Sequence, residues 1–129
     1  MIVVDASALL ELLLVTPRGD RVAERLGGAA SLHVPHLVDV EIAQVLRRLV
    51  GRAQLAPERG EDALRDLADL DLERWEHLPL LPRAWELRDN LTAYDAVYVS
   101  LAEAIGAPLL TCDGRIAGAP GLRARIEVI

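Results

Sequence analysis

The sequence predicts an α/β domain: a mostly parallel central sheet with helices on both faces. Three observations lead there. Short apolar runs recur at residues 1–4, 32–34, 109–111 and 126–129, as expected of strands buried on both sides. Between them lie segments of helical periodicity at roughly 7–15, 18–26, 37–51, 57–70, 80–90 and 93–105. Strands that alternate with helices pair in parallel, because each helix carries the chain back across the sheet.

Taken in order, "MIVV" is a buried strand closed by Asp5. The helix after it carries Leu9, Leu10, Leu12, Leu13 and Leu14, which encircle too much of its surface to be covered from one side. The excess is expected to meet a second copy or a partner protein. "LHV" is a shorter strand ending at Pro35, and the helix over 37–51 has an apolar face of Val38, Ile42, Val45 and Leu49 with Glu41 on its border. Its far end is basic, with Arg47, Arg48 and Arg52, a placement that suits the helix dipole as well as it suits an anionic partner.

Residues 57–76 are the only shift in composition. Pro57 fits a first helical position, Leu64, Leu67 and Ala68 make a narrow apolar stripe, and the acids fall on the solvated side. A short extended piece is placed at 72–78. "LTAYDAVYVSLAE" is apolar around most of its circumference, which marks a buried helix, yet Asp95 stands near its start. "LLT" leads to Asp113, and "IEVI" closes the chain. Trp75, Trp85, Tyr94 and Tyr98 are assigned to the core, and with no Phe present base stacking is not expected to dominate any recognition of RNA.

The 129 residues suit one domain spanning 1–129. The apolar runs are too short to span a bilayer, no basic region precedes the first of them, and Cys112 has no partner for an intramolecular disulfide. A cytoplasmic protein is expected. The net charge of −6 argues against simple electrostatic capture of nucleic acid. Every basic residue other than the three His is Arg, so mechanisms that need a catalytic or phosphate-gripping Lys are excluded.

In a parallel sheet, the carboxyl ends of the strands and the amino ends of the following helices share one edge, where ligands bind. Four acids fall there. Asp5 and Asp113 each follow a strand, Glu41 lies in the opening turns of a helix after a strand, and Asp95 opens the helix that feeds the strand at 109. Each alone has a plain structural explanation. Asp95 follows Thr92 by three residues, as in a capping box, and Asp5 and Asp113 are placed to cap helices. Together they conflict with it, since two like charges about 4 Å apart repel by roughly 4 kcal/mol at an effective dielectric of 20, several times what a cap contributes. A compensating cation is required, which Arg could supply, although a hard divalent ion takes oxygen ligands from carboxylates directly. An all-oxygen donor set suits Mg²⁺ or Mn²⁺, whereas Cys112, His33, His36 and His77 lack the spacing of a zinc site.

These stretches carry a resemblance over nearly the whole chain: "IVVDASALLELLL", "HVPHLVDVEIAQVLRRLV", "LTAYDAVYVSLAEAIGAPLLTCDGRIA" and the terminal strand. The sequence resembles the PIN-domain ribonucleases, specifically the VapC-type toxins of bacterial toxin–antitoxin pairs. The third stretch is the most specific, an acid-bearing "YDA" helix followed by an "LLT.D" strand end. The resemblance implies a PIN-like three-layer sandwich. It also implies an acidic quartet of Asp5, Glu41, Asp95 and Asp113 serving catalysis and metal binding, with Ser7 and Thr111 as supporting hydroxyls beside the metal. The activity implied is that of an Mg²⁺-dependent endoribonuclease, with Mn²⁺ as a substitute, leaving a 5′ phosphate and a 3′ hydroxyl. Its partners would be an RNA substrate, a VapB-type antitoxin and a second copy of the chain. Glu41 is either a ligand or an orienter of the attacking water. Two features depart from the family: Gln44 stands where many relatives have Asn, and no acid occurs from 114 to 117, where some carry an extra ligand.

Other classes fit less well. A phosphorelay receiver needs a Lys, an aspartyl phosphatase usually has a second Asp where Ser7 stands, and a nucleotide fold needs a glycine-rich loop that "DASALLE" lacks. The serious rival is a non-catalytic PIN-like module that binds RNA or protein and keeps the acids as caps.

Overall fold

The computed structural model describes residues 1–129. In chain order the elements are β1 (Ile2–Val4), α1 (Ala6–Leu13), α2 (Pro17–Gly27), β2 (Leu32–Pro35), α3 (Leu37–Gly51), α4 (Pro57–Asp69), β3 (Leu72–Trp75), a 3₁₀ turn (Leu78–Leu80), α5 (Leu81–Glu86), α6 (Ala93–Ile105), β4 (Leu109–Thr111), α7 (Gly114–Ala117) and β5 (Ile126–Val128). The five strands form one sheet in the order β3-β2-β1-β4-β5, and every pairing is parallel. Side chains alternate between the two faces of a strand. Because all of β1 and all of β4 is buried, both faces of the sheet centre are covered, giving the three-layer α/β sandwich expected.

The strand order places the site. The chain moves from β1 outward to β2 and β3, then returns to the opposite side of β1 with β4. The crevice between β1 and β4, beyond their carboxyl ends, is therefore the topological switch point. The register Val3 with Leu109 and Val4 with Leu110 brings Asp5 and Thr111 to the same level. α6 crosses behind, buried along Ala96–Ala102 and ended by Gly106 in the left-handed conformation at φ 66°.

Several local expectations change. The extended piece at 72–78 is a strand only to Trp75, because the chain turns into the 3₁₀ helix at Leu78. On α4 the buried line is Gly60, Ala63 and Leu67, while Leu64 and Ala68 face out: α4 approaches α3 through Gly60, which lies close to the Val50 side chain. Only Tyr98 of the four aromatics is core; Tyr94, Trp75 and Trp85 are exposed, the last with the Arg88 guanidinium 4.9 Å over its ring. The leucine excess on α1 is mostly met within the chain. Leu9 and Leu13 are buried, and Leu10, Leu12 and Leu14 are half-buried against the core. No helix is long and apolar enough to cross a membrane.

Candidate active site

Asp5 follows β1 and caps α1, accepting the Ala8 N–H on Oδ1 at 3.1 Å. Two hydroxyls complete its surroundings. Ser7 donates to Oδ1 at 2.6 Å, and Thr111, at the end of β4, donates to Oδ2. The oxygens of both hydroxyls are used again as acceptors, Ser7 from the Cys112 N–H and Thr111 from the Asp113 N–H, each at 2.9 Å. A single hydroxyl proton cannot serve two acceptors at full strength, so Ser7 and Thr111, 3.3 Å apart, are oriented by Asp5 rather than by each other. This network ties the end of β1 to the turn after β4. Burial pushes the Asp5 carboxyl above its usual range, the hydroxyls and the Ala8 N–H pull it back, and the charge of Asp95 raises it again.

Glu41 projects from the second turn of α3 and accepts the Tyr98 hydroxyl of α6 at 2.7 Å on Oε1. Its carboxyl is raised by burial, lowered by the Tyr98 bond and raised by Asp95 and Asp5. Asp95 lies in the first turn of α6, whose cap is Thr92: the Asp95 N–H donates to the Thr92 hydroxyl at 3.2 Å. Burial, then the charge of Asp113, raises the Asp95 carboxyl, with Thr92 and Arg115 opposing. Asp113 behaves differently. It caps α7 through the Arg115 N–H at 3.0 Å and takes the Arg115 guanidinium on both oxygens, at 3.0 and 2.8 Å. Arg115 therefore holds Asp113 below the ordinary carboxylate range.

All four acids line one cavity of about 600 Å³, together with Ser7, Gln44, Arg48, Tyr94 and Tyr98. Four segments supply them, and Asp5, Glu41 and Asp95 are each pushed upward by the charge of at least one other acid of the four. In this arrangement no three of them close into a group that could already grip an ion. The donor set nevertheless fits a hard divalent cation, because the wall offers oxygen donors, four of them carboxylates, and no His or Cys is among them. Thr111 stands behind Asp5, off the cavity wall, while Ser7 is on it.

Two features escaped the sequence reading. Tyr98, the partner of Glu41, was assigned only to packing, although a buried Tyr hydroxyl usually needs a polar partner. Arg115 lies in the interval 114–117, which the sequence reading searched only for acids. Of the basic end of α3, Arg48 reaches the cavity. His36 is exposed and off its wall.

Residues 2–122 match the PIN domain family. The chain is 46% identical over 129 residues to Ribonuclease VapC9 of Mycobacterium tuberculosis, covering 100% of this chain and 98% of that protein. It is 43% identical over 129 residues to Ribonuclease VapC12 of the same organism, covering 100% and 99%. Among solved structures it is similar to PAE2754 from Pyrobaculum aerophilum, with TM-score 0.75 and 23% identity over 98% of this chain and 83% of that one. VapBC2 from Rickettsia felis, bound to a DNA fragment from its promoter, gives TM-score 0.74 and 18% identity over 99% and 98%. At such identities the structural likeness speaks for the fold alone, but the family and the relatives agree with it. The chain belongs to the PIN domain family, among its VapC-type members.

Proposed function

We propose that the chain is an Mg²⁺-dependent endoribonuclease, with Mn²⁺ as a substitute, and the toxin of a type II toxin–antitoxin pair. The observation that carries this reading is the meeting of Asp5, Glu41, Asp95 and Asp113 on one cavity at the switch point of the sheet. The names of the relatives, which are ribonucleases, support it.

Asp5, Asp95 and Asp113 would hold the ion, and Glu41 either joins them or orients the attacking water. When bound, a divalent cation acidifies a water nucleophile and neutralises charge gathering on the departing 3′ oxygen. The chain's own residues prepare that chemistry. Ser7 and Thr111 keep Asp5 in one rotamer, so its orientation is set before any ligand arrives. Tyr98 does the same for Glu41. Hydrolysis would leave a 5′ phosphate and a 3′ hydroxyl. Arg48 at the cavity wall supplies a positive group for a phosphate on an otherwise acidic protein.

The protein would work in the cytoplasm, restrained by a VapB-type antitoxin, and pair with a second copy of itself. The half-buried Leu10, Leu12 and Leu14 and the exposed Val15 leave α1 and its end with apolar surface to cover. Light scattering on the isolated protein at micromolar concentration should give the mass of a dimer; a stable monomer removes that part of the reading.

A second reading, a non-catalytic PIN-like module binding RNA or protein, draws on the fact that Asp5 and Asp113 do cap helices. It does not account for Glu41, which has no cap to make, sharing one cavity with the other three acids. Incubation of bulk RNA with wild type and Asp95→Asn, in Mg²⁺ and in EDTA, separates the two. The nuclease cuts only as wild type in Mg²⁺ and leaves ends that a 5′-phosphate-dependent exonuclease degrades; binding without cutting across a broad RNA pool favours the module.

A further inference from the structure

We propose that Arg115 is a built-in counter-cation for the acidic site, which a divalent ion must displace from Asp113 in order to bind. The inference rests on the metal-dependent reading above and adds to it a residue that sets how tightly the site holds its ion.

The geometry starts from a two-residue spacing. Asp113 caps α7, so the residue two positions on is held at the first turn of that helix and its side chain can fold back on the cap. It does so in the fork geometry of an Arg–carboxylate pair, Nε to Oδ1 at 3.0 Å and Nη2 to Oδ2 at 2.8 Å. With the Arg115 N–H also on Oδ1, three of the roughly four acceptor positions of this carboxylate are occupied. Unlike the neutral donors on Asp5, the partner here is a cation that spans both oxygens, so a divalent ion must compete with its charge for Asp113.

The charge of Arg115 also reaches Asp95, opposing the repulsion that Asp113 exerts on it. One guanidinium thus moderates two of the four carboxylates, which answers how the quartet coexists without an ion. The pair is also easily broken. The Arg115 side chain is 89% exposed, and an exposed ion pair is hydrated, screened and weakly held. A strong buried pair would lock the site shut; a weak one only competes.

Arg48 provides the contrast. It lines the same cavity but its side chain pairs with no acid, so its removal takes away positive charge without releasing a ligand. Calorimetric titration of Mn²⁺ into wild type, Arg115→Gln, Arg115→Lys and Arg48→Gln at mildly alkaline pH and low salt tests the idea. Arg115→Gln should bind Mn²⁺ about threefold tighter, the scale of an exposed pair, and clearly tighter than Arg48→Gln. Arg115→Lys, which keeps the charge and loses the fork, should fall between wild type and Arg115→Gln. Equal affinities for wild type and Arg115→Gln overturn the inference and leave the metal site standing. So does an equal gain from Arg48→Gln, since charge removal alone would then explain it. Absence of Mn²⁺ binding in all four proteins overturns the metal reading itself and the inference with it.

Discussion

Tyr98 donates its phenolic proton to Glu41 across 2.7 Å and so fastens α6 to α3 at the wall of the acidic cavity. The ring is 1% exposed, and burial followed by the Glu41 charge drives the phenol pKa far above its ordinary value. Both effects favour the protonated phenol, which is the form that donates to Glu41. The bond also offsets part of the upward push that burial gives the Glu41 carboxyl.

Tyr98→Phe should keep the packing of α6 and remove that donor alone. Loss of the bond should cost about 1–2 kcal/mol in urea unfolding. The Glu41 carboxyl should rise further, because the bond that lowers it is gone, and the acid limb of RNA cleavage should move to higher pH. An unmoved limb would mean that Glu41 does not titrate in the reaction.

Asp95 is one of three raised carboxylates through which stability depends on pH. Asp5, Glu41 and Asp95 are all raised above their ordinary values of 3.8, 4.5 and 3.8, so through that window these three groups hold more protons in the folded chain than in the unfolded one. Stability contributed by these three falls as pH rises from the ordinary values through the raised ones. Asp113, Glu103 and Glu127 are lowered by Arg partners and act oppositely, losing their contribution as pH falls through their folded values. Comparing wild type with Asp95→Asn cancels them. In EDTA the variant should gain on wild type as pH rises through the window. Saturating Mn²⁺ should then favour wild type, by about 2.7 kcal/mol at a hundred times the dissociation constant, and the variant much less. No response to Mn²⁺, with Asp95→Asn equally destabilised in both buffers, would make Asp95 a helix-terminal residue and nothing more.

Thr111→Val preserves shape and deletes one hydroxyl with two bonds. Asp5 loses the donor on Oδ2 and the Asp113 N–H loses its acceptor. We expect a loss of about 1.5–3 kcal/mol at neutral pH, the range for a hydrogen bond to a charged group, and weaker Mn²⁺ binding. The loss should shrink as pH falls and Asp5 takes up a proton. A pH-independent loss would point to packing instead.

Gly19→Ala tests the frame beneath the site. A Cβ there would stand 2.1 Å from the Glu11 carbonyl oxygen and 2.7 Å from its carbon, both backbone atoms of α1. The helices must separate to admit it, so unfolding should be easier by about 1–3 kcal/mol, as in overpacked cores. Gly27, with open space around it, is the control: Gly27→Ala should be neutral or mildly stabilising.

Much of the site was legible because its signals are local. Asp5 and Asp113 announce themselves by ending strands, Asp95 by following Thr92 at the head of a helix, and Glu41 by opening the helix after Pro35. What was illegible involves either distance along the chain or too little of it. α7 has four residues, fewer than periodicity needs to declare itself. Tyr98 sits on a helix apolar nearly all round, where its hydroxyl breaks no pattern, and Glu41 lies 57 residues away. Trp75 and Trp85, expected in the core, are exposed, because a hydrophobic residue is buried only where another element arrives to cover it.

The sequence by itself determined the alternation of strands and helices, the edge on which the acids fall and the all-oxygen chemistry they share. Those properties follow from side-chain period and residue type, which act over a few neighbours. The tertiary structure decided the order β3-β2-β1-β4-β5, the crevice between β1 and β4, and the pairings of Glu41 with Tyr98 and Asp113 with Arg115. Strand order depends on which buried surfaces of the whole chain fit together, and a carboxylate's partner on where its neighbours' side chains come to rest after that fitting.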